Sequence, residues 1–305
     1  MSRKTLLASL LALAVLTAVY VLVATVGSAE EELPDSGMAA ALAKLDSEST
    51  ERIEFATPTD TFLLQKDGGV WSVNEYEADP TTVSRLLRAF DSAQVAGVAS
   101  TNPVNHEEMR ITDEQARFMV VNEEVAVVWG KHAPYTRTGY ARLPGLDTVY
   151  FVRGDMRFMV GRSLFEWRNK VMLQVDTAEI QSVAVTADGE TTLYERDGGG
   201  GWLADREPAD TSVRRNTIRN MLQELTEVRA SGFEPPEDER PEAPDRVVRA
   251  VDARGNEVAH LLLHYRPQNI LVMSPVLPYD FEIPNFRYDR IAPPSPAFGD
   301  ESDDS

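Results

Sequence analysis

An internal repeat limits what this chain can fold into more than any other feature of the sequence. The segment Gln65–Trp71 (QKDGGVW) recurs 130 residues later as Glu195–Trp202 (ERDGGGGW), which is one residue longer because of an extra glycine before the tryptophan. The spacing then becomes 131 and persists through further pairs of similar residues: Asp79 and Asp210, Ala99 and Ala230, Pro144 and Pro275, Tyr150 and Phe281. A nearly constant spacing is not expected by chance. We therefore predict two copies of one structural unit, at residues 45–170 and 175–292.

Each copy carries the pattern of a strand, a hairpin and a helix. Ile53 and Phe55 alternate with polar residues, as in a strand with one buried face. Asp67-Gly68-Gly69 fits a hairpin turn, because glycine accepts the positive φ angles that such turns require. A helix capped by Asp79 or Asp210 then follows. Its apolar residues have the spacing of a single helix face: Val83, Leu86, Leu87 and Phe90 in the first copy, and Ile218, Met221, Leu222 and Leu225 in the second.

Four more strands are predicted in each copy, joined by short turns that favour antiparallel pairing. They are Arg117–Val121, Val125–Trp129, Gly139–Leu143 and Thr148–Val152, then Arg246–Val251, Glu257–Leu263, Asn269–Met273 and Tyr279–Ile283. The predicted fold class is α+β: a tandem repeat of two similar units, each a mainly antiparallel sheet with one amphipathic helix, behind an N-terminal transmembrane helix.

The N-terminal segment Leu6–Val26 is apolar throughout and contains no charge, proline or glycine. At about 1.5 Å per residue it would span about 30 Å, the thickness of the hydrocarbon core of a bilayer. Arg3 and Lys4 precede it and Glu30–Glu32 follow it, so the positive-inside rule keeps the N-terminus cytoplasmic. We predict that residues 1–29 form a cytoplasmic tip and a single-pass anchor in the cell (inner) membrane. A signal peptide cleaved after Ala29 is the alternative, and it also places the later domain outside the cytoplasm.

Three segments look like connections rather than parts of a folded unit. Residues 30–49 form a predicted acidic linker, in which Met38–Leu45 can be either a short helix or a stalk. Residues 293–305 form an acidic tail without apolar periodicity, which predicts disorder. Glu234–Pro244 (EPPEDERPEAP) is predicted to be a solvated loop, with a docking surface as the alternative.

The charge balance excludes one large class of partners. The chain has 49 acidic and 30 basic residues, for a formal net charge of −19. Such a surface repels phosphate backbones, so no nucleic-acid partner is predicted. Cysteine is absent from the sequence, which excludes disulfides, thiolate nucleophiles and a lipoprotein anchor.

No residue is assigned a catalytic, cofactor-binding or metal-binding role, because each candidate has a structural interpretation. Gly198–Gly201 lacks the Gly-Lys-Ser/Thr sequence of a phosphate loop and is followed by Trp202, which favours a hairpin turn. His260 and His264 lie on a predicted strand, where a spacing of four separates side chains by about 13 Å. His106 and His132 are predicted to be surface residues. Ser163 lacks the Gly-x-Ser-x-Gly context of a hydrolase and is predicted to cap a helix.

The aromatic residues of the first copy have two interpretations. They could line a ligand groove, but aromatic side chains on strands more commonly belong to the core and to cross-strand pairs. The residues concerned are Trp129, Tyr135, Tyr140, Tyr150 and Trp167.

A family resemblance rests on four stretches of the chain: Gln65–Val73, Ala99–Pro103, Val127–Lys131 with Thr148–Val152, and Trp167–Val185. In this order they resemble the bacterial family DUF4340, a domain of unknown function. The likeness covers residues 45–200 best. After Asn102-Pro103 the family commonly has a Tyr-Gly-Leu turn, where this chain has Glu108–Ile111.

The resemblance implies a membrane-anchored extracytoplasmic protein whose relatives often accompany an ABC-type export system of the gliding-motility kind. We therefore expect an accessory or interaction protein rather than an enzyme, with the membrane and subunits of a transport complex as partners. The alternative is an envelope solute-binding protein or hydrolase that acts in a cleft between the repeats.

Overall fold

The computed structural model describes residues 37–209, 212–233 and 243–294. The predicted anchor Leu6–Val26, the cleavage position Ala29, the cap Asp210 and nearly all of the acidic tail and of the loop Glu234–Pro244 lie outside these ranges. Within them, no helix combines the length and the apolar character that crossing a bilayer requires. The chain divides into two compact units, with the boundary between Leu164 and Phe165.

The first unit is a nine-stranded antiparallel sheet with short and long helices. Its helices are α1 (Gly37–Leu42), α2 (Pro80–Asp91) and α3 (Met156–Met159). Its strands are β1 (Arg52–Ala56), β2 (Thr61–Asp67), β3 (Val70–Val73), β4 (Tyr76–Glu77), β5 (Gln94–Ser100), β6 (Arg117–Val121), β7 (Val125–His132), β8 (Thr138–Arg142) and β9 (Val149–Arg153). The strand order is β4-β3-β2-β1-β6-β7-β8-β9-β5.

The second unit contains another nine-stranded sheet and a separate two-stranded one. The short helix α4 (Leu164–Trp167) begins at the unit boundary, directly after Ser163. The remaining helices are α5 (Ser212–Thr226) and α6 (Tyr288–Ile291). The strands are β10 (Val171–Gln174), β11 (Ile180–Ala187), β12 (Glu190–Arg196), β13 (Trp202–Ala204), β14 (Glu207–Pro208), β15 (Glu227–Arg229), β16 (Gly232–Phe233), β17 (Arg246–Asp252), β18 (Glu257–Tyr265), β19 (Ile270–Met273) and β20 (Phe281–Ile283).

The two large sheets have the same strand order. In the second unit it is β14-β13-β12-β11-β17-β18-β19-β20-β16, which matches the first order strand for strand. The registers also agree: Ile53 lies opposite Leu64 in the first sheet, and Val183 lies opposite Tyr194 in the second. The predicted α+β class with mainly antiparallel sheets is confirmed.

The hairpin turns explain the change in repeat spacing. In the first unit Asp67 pairs with Val70, and Gly68 and Gly69 both have positive φ, as a two-residue hairpin loop requires. In the second unit the strands are paired only up to Arg196 and Trp202, and the Asp197 carboxylate accepts hydrogen bonds from the amides of the glycine-rich loop. The longer loop therefore needs a side chain to hold it.

One amphipathic helix covers each sheet. In α2, Val83, Leu86 and Phe90 are buried, as is Leu64 of β2. In α5, Ile218, Met221 and Leu225 are buried in the same core as Tyr194 of β12. These are the faces that the apolar spacing predicts.

The segment Met38–Leu45 was expected to be either a short helix or a stalk. The structure shows the short helix α1, followed by three residues that continue to Leu45. Met38, Leu42 and Leu45 are at most 6% exposed, and α1 lies against β5 and β7. This part of the predicted linker therefore belongs to the core of the first unit.

Asp79 caps α2 as the sequence predicts. Its carboxylate accepts a hydrogen bond from the Thr82 amide at 2.6 Å. Replacing Asp79 with alanine should lower the free energy of unfolding by about 1 kcal/mol, since a helix amide loses its acceptor. Asp91→Ala, at the C-terminal end of the same helix, is the control: removing a negative charge there should be neutral or slightly stabilising. Equal losses for the two variants in urea denaturation would contradict the capping role.

Candidate binding grooves

The first unit has a groove between α2 and the β2–β3 hairpin. Its volume is about 470 Å³. Trp71 on β3 and Leu87 on α2 contribute partly exposed apolar surface, and Val70 at the hairpin is 63% exposed. The groove exists because α2 buries one face against the sheet and leaves the side nearer the hairpin uncovered.

The second unit has a groove at the same place, between α5 and the strand after the glycine-rich turn. Its volume is about 630 Å³. Trp202 on β13 and Leu222 on α5 are partly exposed in it and pack against the core below. A partly exposed aromatic ring beside a partly exposed leucine side chain forms an apolar surface that can bind an apolar group.

The two grooves are built from corresponding residues of the repeat. Each groove has a tryptophan just after the glycines of the hairpin turn and a hydroxyl residue before the first strand of the unit. Each also has an alanine before the long helix and an arginine on that helix. The pairs are Trp71 and Trp202, Ser47 and Thr177, Ala78 and Ala209, and Arg88 and Arg219.

The charges around the two grooves differ. The first is lined by Glu77 and Asp91 together with Arg88, so both signs are present. The second is lined by Arg215 and Arg219, and the described residues of its lining include no carboxylate. In a chain with a net charge of −19, the charged side chains in the described lining of this groove are thus both positive. The second groove therefore favours an anionic or acidic ligand, and the first does not.

The wall of the second groove is held in place by Arg196 of β12. Its guanidinium lies 4.9 Å from the ring centroid of Trp202. Its Nε donates to the Ile180 carbonyl at 2.8 Å, and Nη2 donates to the Thr177 carbonyl at 2.9 Å. These contacts fix the tryptophan and the segment at Thr177 relative to each other, so this side of the groove is formed before any ligand binds.

A comparison with protein families assigns the chain that contains these grooves to a family. Residues 70–247 match the model described as "Domain of unknown function (DUF4340)", which is more than half of the sequence. The chain belongs to the DUF4340 family. The match begins in β3, later than the motif likeness, and runs further, into β17 of the second unit. No curated protein and no solved structure matches the chain.

The glycine-rich segment of this DUF4340 protein is a hairpin turn, as its sequence predicts. Gly198–Gly201 lies in the connection from β12 to β13, and its last residue, Gly201, lines the second groove. The segment enters a strand, whereas a phosphate loop enters a helix.

The histidines of β18 do not converge on one site. His260 is 8% exposed, its Nδ1 lies 2.9 Å from Glu257 Oε1, and its Nε2 accepts a hydrogen bond from Arg249 at 3.1 Å. Both ring nitrogens of His260 therefore have hydrogen-bond partners, and neither is available to act as a general base. His264 is also buried, and burial lowers its pKa. Across the described ranges, no three residues of the His, Asp and Glu types are grouped as metal ligands.

The prediction that His106 is a surface residue is wrong. The side chain is 8% exposed, and Nε2 lies 2.8 Å from the carbonyl oxygen of Asp147. The loop after the Pro103–Asn105 turn folds back over the sheet, which no local spacing indicates. His132 is exposed, as predicted.

Most of the aromatic residues considered for a ligand groove belong to the core. Trp129 and Trp167 are fully buried, and Tyr140 is 8% exposed. Tyr135 is 61% exposed and makes an edge contact with Phe151 at 5.3 Å between ring centroids. The groove tryptophans Trp71 and Trp202 were visible in the sequence only as members of the repeat.

The surroundings of His132 give a testable titration. His132 is an exposed residue, but partial loss of hydration lowers its pKa, and the positive charges of Arg157 and Arg117 lower it further. Arg157→Met should therefore raise that pKa toward the ordinary value, as followed by NMR of the histidine ring protons. The pKa of His264 is the internal control, since that pKa is lowered mainly by burial of His264 in the other unit. An unchanged His132 titration would show that Arg157 does not act on this ring.

Proposed function

We propose that this protein is a membrane-anchored, extracytoplasmic interaction module that binds a partner protein through the groove beside Trp202. The observation that carries the proposal is the recurrence of one groove in both units, each with a partly exposed tryptophan beside its helix. A tryptophan with no binding role would be expected to be covered, because exposed apolar surface is unfavourable in water.

The second groove is the better candidate for the contact. It has the larger volume, its wall is fixed by Arg196, and Arg215 and Arg219 are on its rim. The partner chemistry that fits is an apolar segment flanked by carboxylates, with the apolar part against Trp202 and Leu222. Arginine and tryptophan are also the residue types that commonly dominate binding energy at interfaces.

The partner class comes from the family resemblance. The subunits of an ABC-type export complex are the partners that the resemblance implies, and the apolar segment Leu6–Val26 would hold the module beside them. We propose this association and the extracytoplasmic location together, because a cytoplasmic domain could not reach the outer face of a permease.

Affinity purification of the tagged full-length chain from gently solubilised membranes tests the proposal. The native chain should recover permease and ATPase subunits. Arg219→Glu should reduce that recovery several-fold, since it places a negative charge where an acidic partner is expected. Arg254→Glu makes the same charge change in the exposed turn between β17 and β18 and should leave recovery unchanged.

Two results would overturn the proposal. Recovery of no membrane partner by the native chain would do so, above all if a small solute raised its melting temperature, as the solute-binding alternative expects. Equal loss of recovery in Arg219→Glu and Arg254→Glu would mean that the groove is not the binding site and that the added negative charge acts in a general way.

A further inference from the structure

Three basic side chains lie close together in the first unit, apart from its groove. Arg117 is the first residue of β6, His132 is the last residue of β7, and Arg157 lies on α3. The His132 ring contacts the ring of Phe158, the neighbour of Arg157, with 4.6 Å between ring centroids and an angle of 44° between the ring planes. Both arginines are near enough to His132 to lower its pKa.

No ion pair neutralises the charge of Arg157 within residues 37–209, 212–233 and 243–294. Its Nε is buried and has no hydrogen-bond partner within the part of the chain that the structure describes. Burial and the charge of Arg117 lower the pKa of Arg157 to about 10. The chain has 49 acidic residues, yet no described carboxylate forms an ion pair with Arg157 or Arg117. Arg157 as a whole is half-buried, and a partly desolvated charge without a counter-ion is unfavourable, so its retention calls for a compensating group.

The carboxylate nearest to Arg157 along the chain is already engaged. Asp155 forms a two-point ion pair with Arg137, in which Arg137 Nε donates to Oδ1 at 2.7 Å. This bidentate arrangement uses both oxygens of Asp155. Asp155 therefore neutralises Arg137 and leaves the charge of Arg157 in place.

Two glycines leave room for the arginine side chains. A Cβ atom at Gly161 would lie 2.8 Å from Arg157 Nη1 and 3.8 Å from Arg117 Nε. A Cβ atom at Gly139 would lie 2.9 Å from Arg157 Cβ. Both guanidinium groups thus approach one point of the backbone at Gly161, and neither glycine has the positive φ that would explain it by backbone conformation.

We propose that Arg117, Arg157 and His132 form a binding site for a phosphate-type oxyanion. Two fixed positive charges beside an imidazole match a phosphate group, which carries about −1.5 to −2 at neutral pH and has three strong acceptor oxygens. A single carboxylate needs only one guanidinium for a bidentate contact. The phosphate can come from a soluble ion or from a lipid headgroup, whose diester phosphate has a single negative charge and fewer free acceptor oxygens but offers the same kind of oxyanion to the three side chains.

A thermal-shift titration of the detergent-solubilised full-length chain tests the site. Sodium phosphate should raise the melting temperature saturably, beyond the effect of sodium chloride at the same ionic strength. Arg157→Met should melt at a higher temperature than the native chain in chloride, because it removes an unpaired charge, and should not respond to phosphate. Arg85→Gln, an exposed arginine on α2, should respond as the native chain does.

Arg117→Met gives a second test that leaves the Arg157 side chain in place. It should also abolish the phosphate response, so the proposal stays testable if Arg157→Met does not fold. The proposal is overturned if phosphate stabilises the native chain no more than chloride does, or if both methionine variants keep the native response.

Nanodiscs separate the two sources of phosphate. Full-length chain in phosphatidylcholine discs is compared with chain in discs that also contain phosphatidylglycerol, with hydrogen exchange read at β6, β7 and α3. Protection that requires the anionic lipid identifies a headgroup ligand, and protection by free phosphate alone identifies a soluble one. Protection by neither contradicts the site.

Discussion

Glu224→Leu should be among the most destabilising single substitutions in the second unit, lowering the free energy of unfolding by about 3–5 kcal/mol. The Glu224 side chain is 8% exposed on α5, and its carboxylate accepts from Arg287 Nε at 2.5 Å and from Arg290 Nη2 at 2.9 Å. Arg287 is only 12% exposed, so loss of the carboxylate leaves a largely buried charge without its counter-ion. Arg290 is 43% exposed and can turn to water.

A double substitution separates this charge effect from a loss of packing. Glu224→Leu with Arg287→Leu should recover a large part of the lost stability, because replacing both partners of a buried pair by apolar groups is often close to neutral. Glu227→Gln, in an exposed pair with Arg229, is the control and should change stability by less than about 1 kcal/mol. Urea denaturation, with hydrogen exchange localised to the strands of the second unit, makes the measurement. An additive double variant would contradict the account.

Trp129→Ala should have a similar effect in the first unit, about 3–5 kcal/mol. Trp129 on β7 is fully buried, and its register partner on β8 is the small residue Ala141, so little can move in to fill the space. The indole Nε1 is buried and has no hydrogen-bond partner among the residues that the structure describes.

The missing partner of the indole makes a matched control available. Trp129→Phe removes that N–H and keeps an aromatic ring, so it should cost less than about 1.5 kcal/mol. The same denaturation experiment, with hydrogen exchange read in β6 to β8, compares the two variants. Equal losses would mean that the N–H has a partner that matters, and a small loss for Trp129→Ala would mean that the site collapses around the cavity.

The strands with strong alternation could be predicted from the sequence, and the strand made of small residues could not. β6 begins and ends at the predicted residues, because its apolar residues have buried partners on both sides. β5 (QVAGVAS) was not predicted as a strand. Its small residues and Gly97 give no clear alternation, and its conformation is set by pairing with β9, distant in sequence, with irregular register around Gly97.

The sites could be predicted even less than the strands. The tryptophans of the grooves stood out as repeated residues, but their partial exposure results from where α2 and α5 lie on the sheets. Arg117, His132 and Arg157 have no motif spacing, since three separate elements bring them together. In the part of the chain that the structure describes, no carboxylate forms an ion pair with Arg117 or Arg157, whereas a sequence with 49 acidic residues suggests the opposite.

Photo-cross-linking in intact cells tests the central claim, that the groove beside Trp202 is where this tethered protein meets its partner. A photoreactive residue at Gln223, exposed in the lining of that groove, is compared with one at Arg254. We expect a discrete cross-linked product to a membrane-complex subunit from position 223 and none from position 254. Products of equal yield from both positions, or none from position 223 in cells where the partner complex is present, would contradict the account.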